Sequence, residues 1–592
     1  MIGTSSSSDD SAAIPAGADP RRRWVDLEIV AAGFLPGALA GTQIAGLLFF
    51  LNPHLPFSPA PVARAVLLYG VLLGLVSLVL HLPFTWGRRR RARAILPWSL
   101  TLVLAVAALS AWAHASTYSY FLPGGINRRL LKLASFLSAS AVITFYTVLL
   151  HQLRSRRYGA GSKLLIALMA VLSVYLALER REAFKPAPRP TPRATTVEGS
   201  LRPHLVVVGL DAATLDAILP LAEMGELPFF ARLQQEGAFG NMESIKPAVR
   251  TPLWTTLATG SYPYKHGVVG EALFAAPFAG EDQSLSLLPM AVAFDRWGTW
   301  PLARRLDARA VRVLRLWEIL ARLGMPAAVI GWPLAAPPKA DLAVLLSERF
   351  FRGAADPIER SPADLGERAL LFRPQPEELD PGLVAPFGSR PPAVILDSLV
   401  QDAWRGSLSE FLLRQGPPVE ALFLQLPGLG PVSDRFFAAH AAHHVDGVLD
   451  PEVVEQTQLL AAYYGVLDDF LARLWEATPP PRLLAVVSAE GSDDRRTWRK
   501  ALRALTRGPI SDALLQRPPP GVFMLLGDDA IRPGTRLSDV DLVDVVPTLL
   551  YGLGFPVGED LDGTVLTRAF DTTFLARHPL TFVPSYETLS PP

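Results

Sequence analysis

The chain has 592 residues, a length that exceeds one ordinary hydrophobic core and predicts several domains. Charged residues make up 19% and the mean hydropathy is +0.27, which indicates a membrane component, while the absence of cysteine excludes disulfides and thiolate metal ligands. The 56 Lys and Arg residues balance 55 Asp and Glu residues, so no nucleic-acid partner is predicted.

The first part of the chain is predicted to be a short tail followed by a membrane domain. Residues 1–26 are predicted to be a disordered cytoplasmic tail, because their first 20 residues are rich in Ser, Ala and Asp without apolar periodicity. Residues 27–178 are predicted to form a membrane domain of five transmembrane helices, each near the ~20 residues that cross a bilayer. The five apolar segments are 27–51, 62–86, 95–118, 131–151 and 164–178.

Basic residues in the short loops predict the orientation of these helices. If five helices alternate, one side carries most of the basic residues: 21–23, 88–91, Arg93, Arg154, Arg156, Arg157 and Lys163. The positive-inside rule places this side in the cytoplasm and everything after residue 178 outside. Basic residues between 180 and 193 run against this count, but they precede a large translocated domain, where charge has less influence.

The protein is therefore predicted to be a multi-pass protein of a bacterial-type inner membrane, in contact with the lipid bilayer. Residues 179–202 are predicted to be a Pro-rich linker. In residues 203–575 short apolar strands alternate with helices, which predicts a doubly wound α/β domain on the periplasmic or extracellular side. A tail, 576–592, follows. The best strand candidates are 205–210, 327–330, 421–426 and 483–488.

The α/β region contains several motifs in a fixed order. They are the strand that ends on Asp211, the run 227–233, the segment 251–260 (TPLWTTLATG), the segment 262–267 (YPYKHG), and residues 316–320, 331–333, 462–464 and 544–550. Together they resemble the alkaline phosphatase superfamily, and specifically its type I phosphodiesterase/nucleotide pyrophosphatase branch. The resemblance implies two metal ions, usually zinc, about 4 Å apart, held by Asp and His. It also implies a Thr or Ser nucleophile at a helix start.

The first positions to compare with this family are Asp211 and the nucleophile. The resemblance implies that Asp211 is the first metal-ligating Asp, although a lone Asp after a strand also suits a helix cap, alone or with Thr214. The position of the nucleophile falls on Arg250, and Thr251 is one residue late. Residue chemistry favours Thr251 as a helix N-cap with Pro252 at the first helical position. The other interpretation is a local backbone shift that aims Thr251 as the nucleophile.

The remaining metal positions also depart from the family. The next Asp and His fall on Gly430 and Asp434, and the motif Ser-Asp-His-Gly becomes 488–491, in which Glu490 is the only carboxylate. The late His is absent from the stretch before Gly521. Of the expected metal positions, Asp211 alone keeps its identity, so a two-zinc centre is not predicted.

The loss of these ligands suggests a replacement for the metal. A buried Asp without a cation is costly, and a guanidinium group supplies the missing charge through two parallel hydrogen bonds. We therefore expect Arg250 to pair with Asp211 where a metal ion would lie.

Histidines near these motifs have two interpretations. His440, His443 and His444 form a cluster, and His440 and His444 share a face if the segment is helical. The surrounding Ala-rich, polar sequence favours an exposed surface turn over a zinc site. His266, in the segment 262–267, matches a family position that we interpret as structural.

Three functional hypotheses remain open. The first is a non-catalytic binding or assembly module, a pseudoenzyme without a cofactor. Its partner would be a protein in the membrane or periplasm, or an anionic headgroup or phosphate held near Arg250 and Thr251. The second is a phosphodiesterase or phosphoryl-headgroup transferase whose Mg²⁺, Mn²⁺ or Ca²⁺ is held by Asp211, Thr251, Asp434 and Glu490. The third is a channel or transporter with a regulatory cap, which is disfavoured because the apolar segments carry few ionisable residues.

Overall fold

The computed structural model describes residues 20–85, 89–179, 202–276, 278–280, 283–289, 303–354, 356–444, 447, 449–492 and 518–587. The predicted tail up to residue 19, the predicted linker from residue 180 to 201, the stretch 515–517 and residues 588–592 lie outside this part of the chain.

The amino-terminal part of the molecule is a bundle of long apolar helices. These are α1 (Pro20–Leu51), α2 (Pro59–Thr85), α3 (Arg89–Thr117), α4 (Gly124–Leu153) and α5 (Ala160–Ala177). Within the described residues, five helices are long and apolar enough to cross a membrane, as predicted. The fourth begins at Gly124 rather than at 131, because its first two turns carry polar and basic residues that a hydropathy pattern assigns to a loop.

The outward faces of the bundle are apolar. Large hydrophobic side chains are exposed along α2 and α3, among them Leu67, Val79, Leu80, Leu102 and Leu109. Apolar patches of this extent are uncommon on proteins surrounded by water, and they match a lipid environment.

The second part of the molecule is an α/β domain. Its strands are β1 (His204–Leu210), β2 (Ala238–Glu243), β3 (Ala272–Ala275), β4 (Ser284–Leu285), β5 (Ala303–Arg305), β6 (Ala327–Ile330), β7 (Val344–Leu346), β8 (Arg360–Ser361), β9 (Ala421–Leu426), β10 (Arg482–Ser488), β11 (Gly521–Gly527), β12 (Thr535–Asp541), β13 (Val557–Gly558) and β14 (Phe582–Val583). The main sheet has nine strands in the order β12-β2-β11-β10-β1-β9-β6-β7-β8. Strands β3, β4 and β5 form a separate small sheet between the YPYKHG segment and the helix that begins at Leu316.

Helices cover the sheet and connect its strands. They are α6 (Leu215–Glu223), α7 (Pro228–Glu236), α8 (Arg250–Thr259), α9 (Pro263–His266), α10 (Leu316–Arg322), α11 (Glu348–Phe351), α12 (Ala363–Leu371), α13 (Pro381–Val384), α14 (Ala393–Gln415), α15 (Leu429–His444), α16 (Pro451–Ala477), α17 (Val545–Gly552) and α18 (Thr572–Arg577).

The centre of the sheet is parallel. Strands β10, β1, β9, β6 and β7 run in the same direction as their neighbours, and β1 is buried along almost its whole length, as its apolar sequence predicts. Because carboxyl ends of parallel strands meet at one edge, the residues that follow these five strands lie on the same side of the sheet. That edge carries the candidate site.

Candidate functional site

Asp211 and Arg250 are in direct contact at the carboxyl edge of the sheet. Asp211 follows β1, and Arg250 is the first residue of α8. The Nε and Nη2 atoms of Arg250 lie 3.3 and 3.2 Å from Oδ2 of Asp211. The predicted pairing of these two side chains is confirmed, but both nitrogens bond the same oxygen instead of forming two parallel hydrogen bonds.

A second carboxylate binds the same guanidinium. Nη1 of Arg250 donates to Oε1 of Glu348 at 2.7 Å, and the exposed Arg352 contacts that oxygen at the same distance. Glu348 begins α11, which Ser347 caps by accepting hydrogen bonds from two backbone N–H groups. Two cations therefore face two carboxylates, and the cluster is neutral in formal charge.

The cluster is mostly buried. The side chains of Arg250, Asp211 and Glu348 are 28%, 17% and 15% exposed. Burial raises the pKa of Asp211, and attraction to Arg250 offsets only part of this effect. Burial lowers the pKa of Arg250, but its two carboxylates more than compensate, so the net pKa is raised. The guanidinium stays charged and acts as the cation of this edge.

Gly430, where the resemblance predicts the family's second Asp, lies beside Asp211 and has no side-chain donor. A Cβ atom built on Gly430 would lie 3.2 Å from Cβ of Asp211 and 4.0 Å from its Oδ2. A side chain at position 430 would therefore lie close enough to Asp211 for both to bind one pair of metal ions. Glycine supplies neither oxygen nor nitrogen from a side chain, so this half of the predicted centre has no donor there.

The loop before Gly430 is anchored by a buried acid. Asp402 of α14 accepts hydrogen bonds from the backbone N–H of Gly428 at 3.0 Å and from Oη of Tyr463 at 2.8 Å. Burial raises the pKa of Asp402 to about 6, and both hydrogen bonds oppose that rise. The Asp402 carboxyl therefore holds the turn that follows β9.

The loop after β10 closes over the turn of Asp211. Oγ of Ser488 accepts from the N–H of Ala213 at 3.1 Å, and Oγ of Ser492 donates to the carbonyl of Ala212 at 2.8 Å. Ala212 has φ +64°, a left-handed conformation that is uncommon for a residue with a Cβ. These hydrogen bonds from the neighbouring loop hold that turn in place.

The two other predicted metal-ligating carboxylates have different surroundings. Asp434 is exposed on α15, and Glu490 is half-buried in the loop after β10. No group of three or more His, Asp or Glu residues that could hold a metal ion occurs in the part of the chain that the structure describes. The side chains at this edge do not fit a two-zinc centre, because position 430 lacks a donor and the carboxylate of Asp211 faces a guanidinium.

The predicted helix cap at Thr251 is wrong. Helix α8 begins one residue earlier, at Arg250, and the backbone of Val249 occupies the N-cap position without a side-chain hydrogen bond. Pro252 is tolerated in the first turn because the N–H groups there have no intrahelical partner. Thr214 caps α6 by accepting a hydrogen bond from the N–H of Asp216. Asp211 does not cap this helix, and its carboxylate binds Arg250.

The predicted surface turn around His440 is also wrong. This segment continues α15 to His444, and His440 is buried with its ring centroid 5.8 Å from that of Phe437. Phe436, Phe437 and Ala441 of this helix pack on the core, a pattern that the polar neighbours obscured.

His266 has the contacts of a structural histidine. Its Nδ1 accepts from the N–H of Val268, so Nε2 carries the proton and donates to Oγ1 of Thr256 at 3.1 Å. Burial lowers the pKa of His266 to about 3, which keeps the ring neutral.

Glu348 and Asp402 were not predicted from the sequence, and the contact of Tyr463 with Asp402 was not predicted although Tyr463 lies in the motif 462–464. The available signal for Glu348 was a capping Ser directly after the apolar run 344–346, which predicts a helix start at a strand end. Asp402 and Tyr463 lie within long helices, where isolated polar residues are expected on the solvent face.

The mixed sheet, its parallel centre and an acidic residue facing a helix start at the carboxyl edge agree with the predicted alkaline phosphatase-like fold. Residues 205–494 match the family model of type I phosphodiesterase / nucleotide pyrophosphatase. The predicted family and the predicted fold class, an α-helical transmembrane bundle followed by an alkaline phosphatase-like α/β domain, are both confirmed.

Solved structures with similarity to the chain include a phosphonoacetate hydrolase and a putative sulfatase. Phosphonoacetate hydrolase from Sinorhizobium meliloti 1021, in complex with phosphonoformate, is 18% identical with a TM-score of 0.31, and the match covers 50% of this chain and 59% of that one. A putative sulfatase from Bacteroides thetaiotaomicron VPI-5482 is 11% identical with a TM-score of 0.36, over 62% and 74% of the two chains. The chain thus spans less than two thirds of the phosphonoacetate hydrolase. No curated protein matches the sequence.

Proposed function

We propose that this protein is a membrane-anchored pseudoenzyme, whose phosphodiesterase-like domain serves as a non-catalytic binding or assembly module. The observation that carries the proposal is the position of Arg250. Its guanidinium group bonds both Asp211 and Glu348 at the edge where the family places its nucleophile and metal ions.

The chemistry of phosphoryl transfer supports this proposal. The family's reaction needs an activated nucleophile and metal ions that stabilise the charge on the transferred group. Arg250 takes the position of the nucleophile and has no group that can attack phosphorus. With Gly430 beside Asp211, a paired metal site lacks its shared ligands.

The charge balance of the site bears on the ligand. The Nε, Nη1 and Nη2 atoms of Arg250 each donate to a carboxylate oxygen, so its charge is already balanced by two carboxylates and attracts a further anion only weakly. We therefore favour a protein partner in the membrane or periplasm over a phosphate or lipid headgroup at this site.

Contacts between the two parts of the chain support a periplasmic or extracellular position for the domain. The α/β domain contacts the chain just after α1 and just after α3, through Asn52 and Tyr120. These contacts lie at the ends of the bundle opposite two arginine-rich segments, the start of α3 at Arg89 and the loop 154–159 between α4 and α5. With the basic residues at the opposite ends, the positive-inside rule favours the outer side for the domain.

The experiment that tests the proposal is hydrolysis of bis(p-nitrophenyl) phosphate by the purified full chain with added Zn²⁺, Mn²⁺, Mg²⁺ or Ca²⁺. We expect no metal-dependent rate and no difference between the wild type and Thr251→Ala. A metal-dependent rate that Thr251→Ala abolishes would instead support a phosphodiesterase or headgroup transferase with a rebuilt carboxylate site. Proteins that co-purify in a gentle detergent would identify candidates for the partner.

A further inference from the structure

A fully buried amide joins the bundle to the α/β domain. Asn52, directly after α1, donates from Nδ2 to the carbonyls of Leu48 at 2.9 Å and of Leu287 at 2.7 Å. Its Oδ1 accepts from the N–H of Ser286 at 2.7 Å and of Leu287 at 3.0 Å. The carboxamide therefore binds the backbone of the α/β domain much as a neighbouring strand would, and both of its polar atoms are satisfied.

Apolar side chains surround this amide from both parts of the chain. The ring of Phe49 in α1 lies edge-on to that of Phe278, with centroids 5.8 Å apart, and Tyr69 of α2 contacts the same ring at 6.2 Å. The buried cluster contains Ala45, Leu48, Phe49, Leu55 and Ala65 from the bundle and Ala276, Phe278, Leu285 and Leu288 from the α/β domain.

A second contact lies between α3 and α4. The ring of Tyr120 stacks on that of Tyr262 at 4.8 Å, and the N–H of Tyr264 donates to the carbonyl of Tyr120 at 3.3 Å. Tyr262 follows α8 closely, so this contact is made by the same stretch of chain that carries Arg250.

We propose that the described residues between 272 and 289, here named the docking insert, lock the α/β domain onto the membrane bundle independently of the covalent linker. Buried hydrogen bonds and an apolar cluster give this contact the composition of a stable intramolecular interface. The Pro-rich linker then serves as a spacer between two docked bodies.

Docking fixes the candidate site relative to the bilayer. Helix α8 is ten residues long, or about 15 Å, and joins Arg250 at one end to the Tyr120–Tyr262 contact beyond the other. A partner of the site must therefore approach at a set distance and orientation from the membrane, which a flexible tether would not impose.

The proposal is tested by cutting the linker of the full chain. A site-specific protease sequence is inserted between residues 186 and 192, and the protein is cleaved in mild detergent and analysed by size-exclusion chromatography. We expect the two fragments to elute together. Separation of the fragments of the otherwise wild-type protein would overturn the proposal.

Matched variants show whether the docking insert is responsible. Asn52→Leu removes the hydrogen bonds to Ser286 and Leu287, and we expect the fragments to dissociate at least about tenfold more readily. Asn127→Leu is the control, because the side-chain oxygen of Asn127 has no hydrogen-bond partner among the described residues. We expect Asn52→Leu combined with Phe278→Ala to separate fully after cleavage. If this double variant stayed together as the wild type does, the proposal would be wrong.

Each uncut variant is first checked for folding. Monodisperse elution before cleavage and an unchanged near-UV circular dichroism spectrum establish that the substitution acts on docking. This interface lies outside the Arg250 cluster. Separation of the fragments would therefore contradict the docking proposal without contradicting the proposed pseudoenzyme function.

Discussion

The two ends of helix α8 make different kinds of contacts. At its beginning, Arg250 is held by the charged groups of Asp211 and Glu348. At its other end the residues of the helix itself make neutral contacts, and an ion pair, Lys265 with Asp562, follows only in the YPYKHG segment. Thr256 contacts His266, and Gly260 ends the helix with φ +61°, a left-handed conformation that glycine adopts without steric cost.

One end of α8 thus lies at the predicted reaction site, and the other end leads to the contact that positions the domain on the membrane bundle. The charged end lies where the family resemblance predicts the reaction site, and there the sequence departs from the pattern that the resemblance implies. The neutral end leads into the contact with the membrane bundle and keeps the YPYKHG motif of the family. The fold can therefore persist as a positioned scaffold while the reactive end holds a compensated ion cluster.

The largest effect is expected at the charged end. Arg250→Ala leaves two mostly buried carboxylates without their central cation, and we expect the free energy of unfolding to fall by about 3–5 kcal/mol. Arg352→Ala is the control, because Arg352 is 69% exposed and contacts Glu348 from the surface. It should cost at most about 1 kcal/mol. Equal losses in chemical denaturation of the two variants would contradict the assigned role of Arg250.

The next effect concerns pH and Asp402. The folded-state pKa of Asp402, about 6, is above its ordinary value of 3.8, so the folded protein binds this proton more tightly than the unfolded chain. The contribution of Asp402 to stability is full below pH 4 and is lost as the pH rises to about 6, by up to about 3 kcal/mol.

Asp402→Asn removes this titration while keeping an oxygen that accepts from Gly428. Unfolding free energies measured between pH 4 and pH 7 should therefore fall less steeply in the variant than in the wild type. Parallel curves for the two proteins would show that Asp402 is not the group responsible.

A steric prediction tests the turn beside the charged end. A Cβ on Gly428 would lie 2.0 Å from Oη of Tyr463 and 2.5 Å from Oδ2 of Asp402, so Gly428→Ala should destabilise the protein by about 2 kcal/mol. Gly465→Ala is the matched control. Gly465 lies in helix α16, and a Cβ there would have no neighbour within 4 Å. This change should stabilise the helix slightly, by about 0.5–1 kcal/mol. Thermal unfolding that ranks the two variants in the opposite order would refute this description of the turn.

The smallest effect is expected at the neutral end of α8. Thr256→Val keeps the shape of the side chain but leaves the Nε2–H of buried His266 without its acceptor, at a cost of about 1–2 kcal/mol. Because no charge is involved, the loss should be independent of ionic strength, unlike that of Arg250→Ala. Denaturation at low and high salt distinguishes the two ends, and a salt-dependent loss in Thr256→Val would remove the contrast.

The parts of the fold that depend on local sequence were predictable. The apolar strands at 205–210 and 421–426 and the five membrane segments have the lengths and compositions that determine these elements on their own. The Arg250–Asp211 pair was also predictable, because the motif order placed both residues at one site. The contact of Glu348 with Arg250 was not predictable. Glu348 follows β7, which lies three strands from β1 in the sheet, and the order of strands was not known from the sequence.

Two other features depend on tertiary packing. Thr251 is a good capping residue by type, but α8 extends to Arg250, whose side chain is held by ionic contacts. The docking insert has short strands and no strong periodicity, so its partner on α1 is set by the three-dimensional arrangement. The contacts of Asn52, directly after α1, were not predicted from the sequence.

The most direct test of the central claim is the metal content of the full chain. The protein is expressed with supplemented zinc, purified in mild detergent without chelators, and measured by inductively coupled plasma mass spectrometry together with its protein concentration. If Arg250 supplies the cation of this edge, zinc should be well below one atom per chain. About two zinc atoms per chain, lost on Asp211→Ala, would contradict the account.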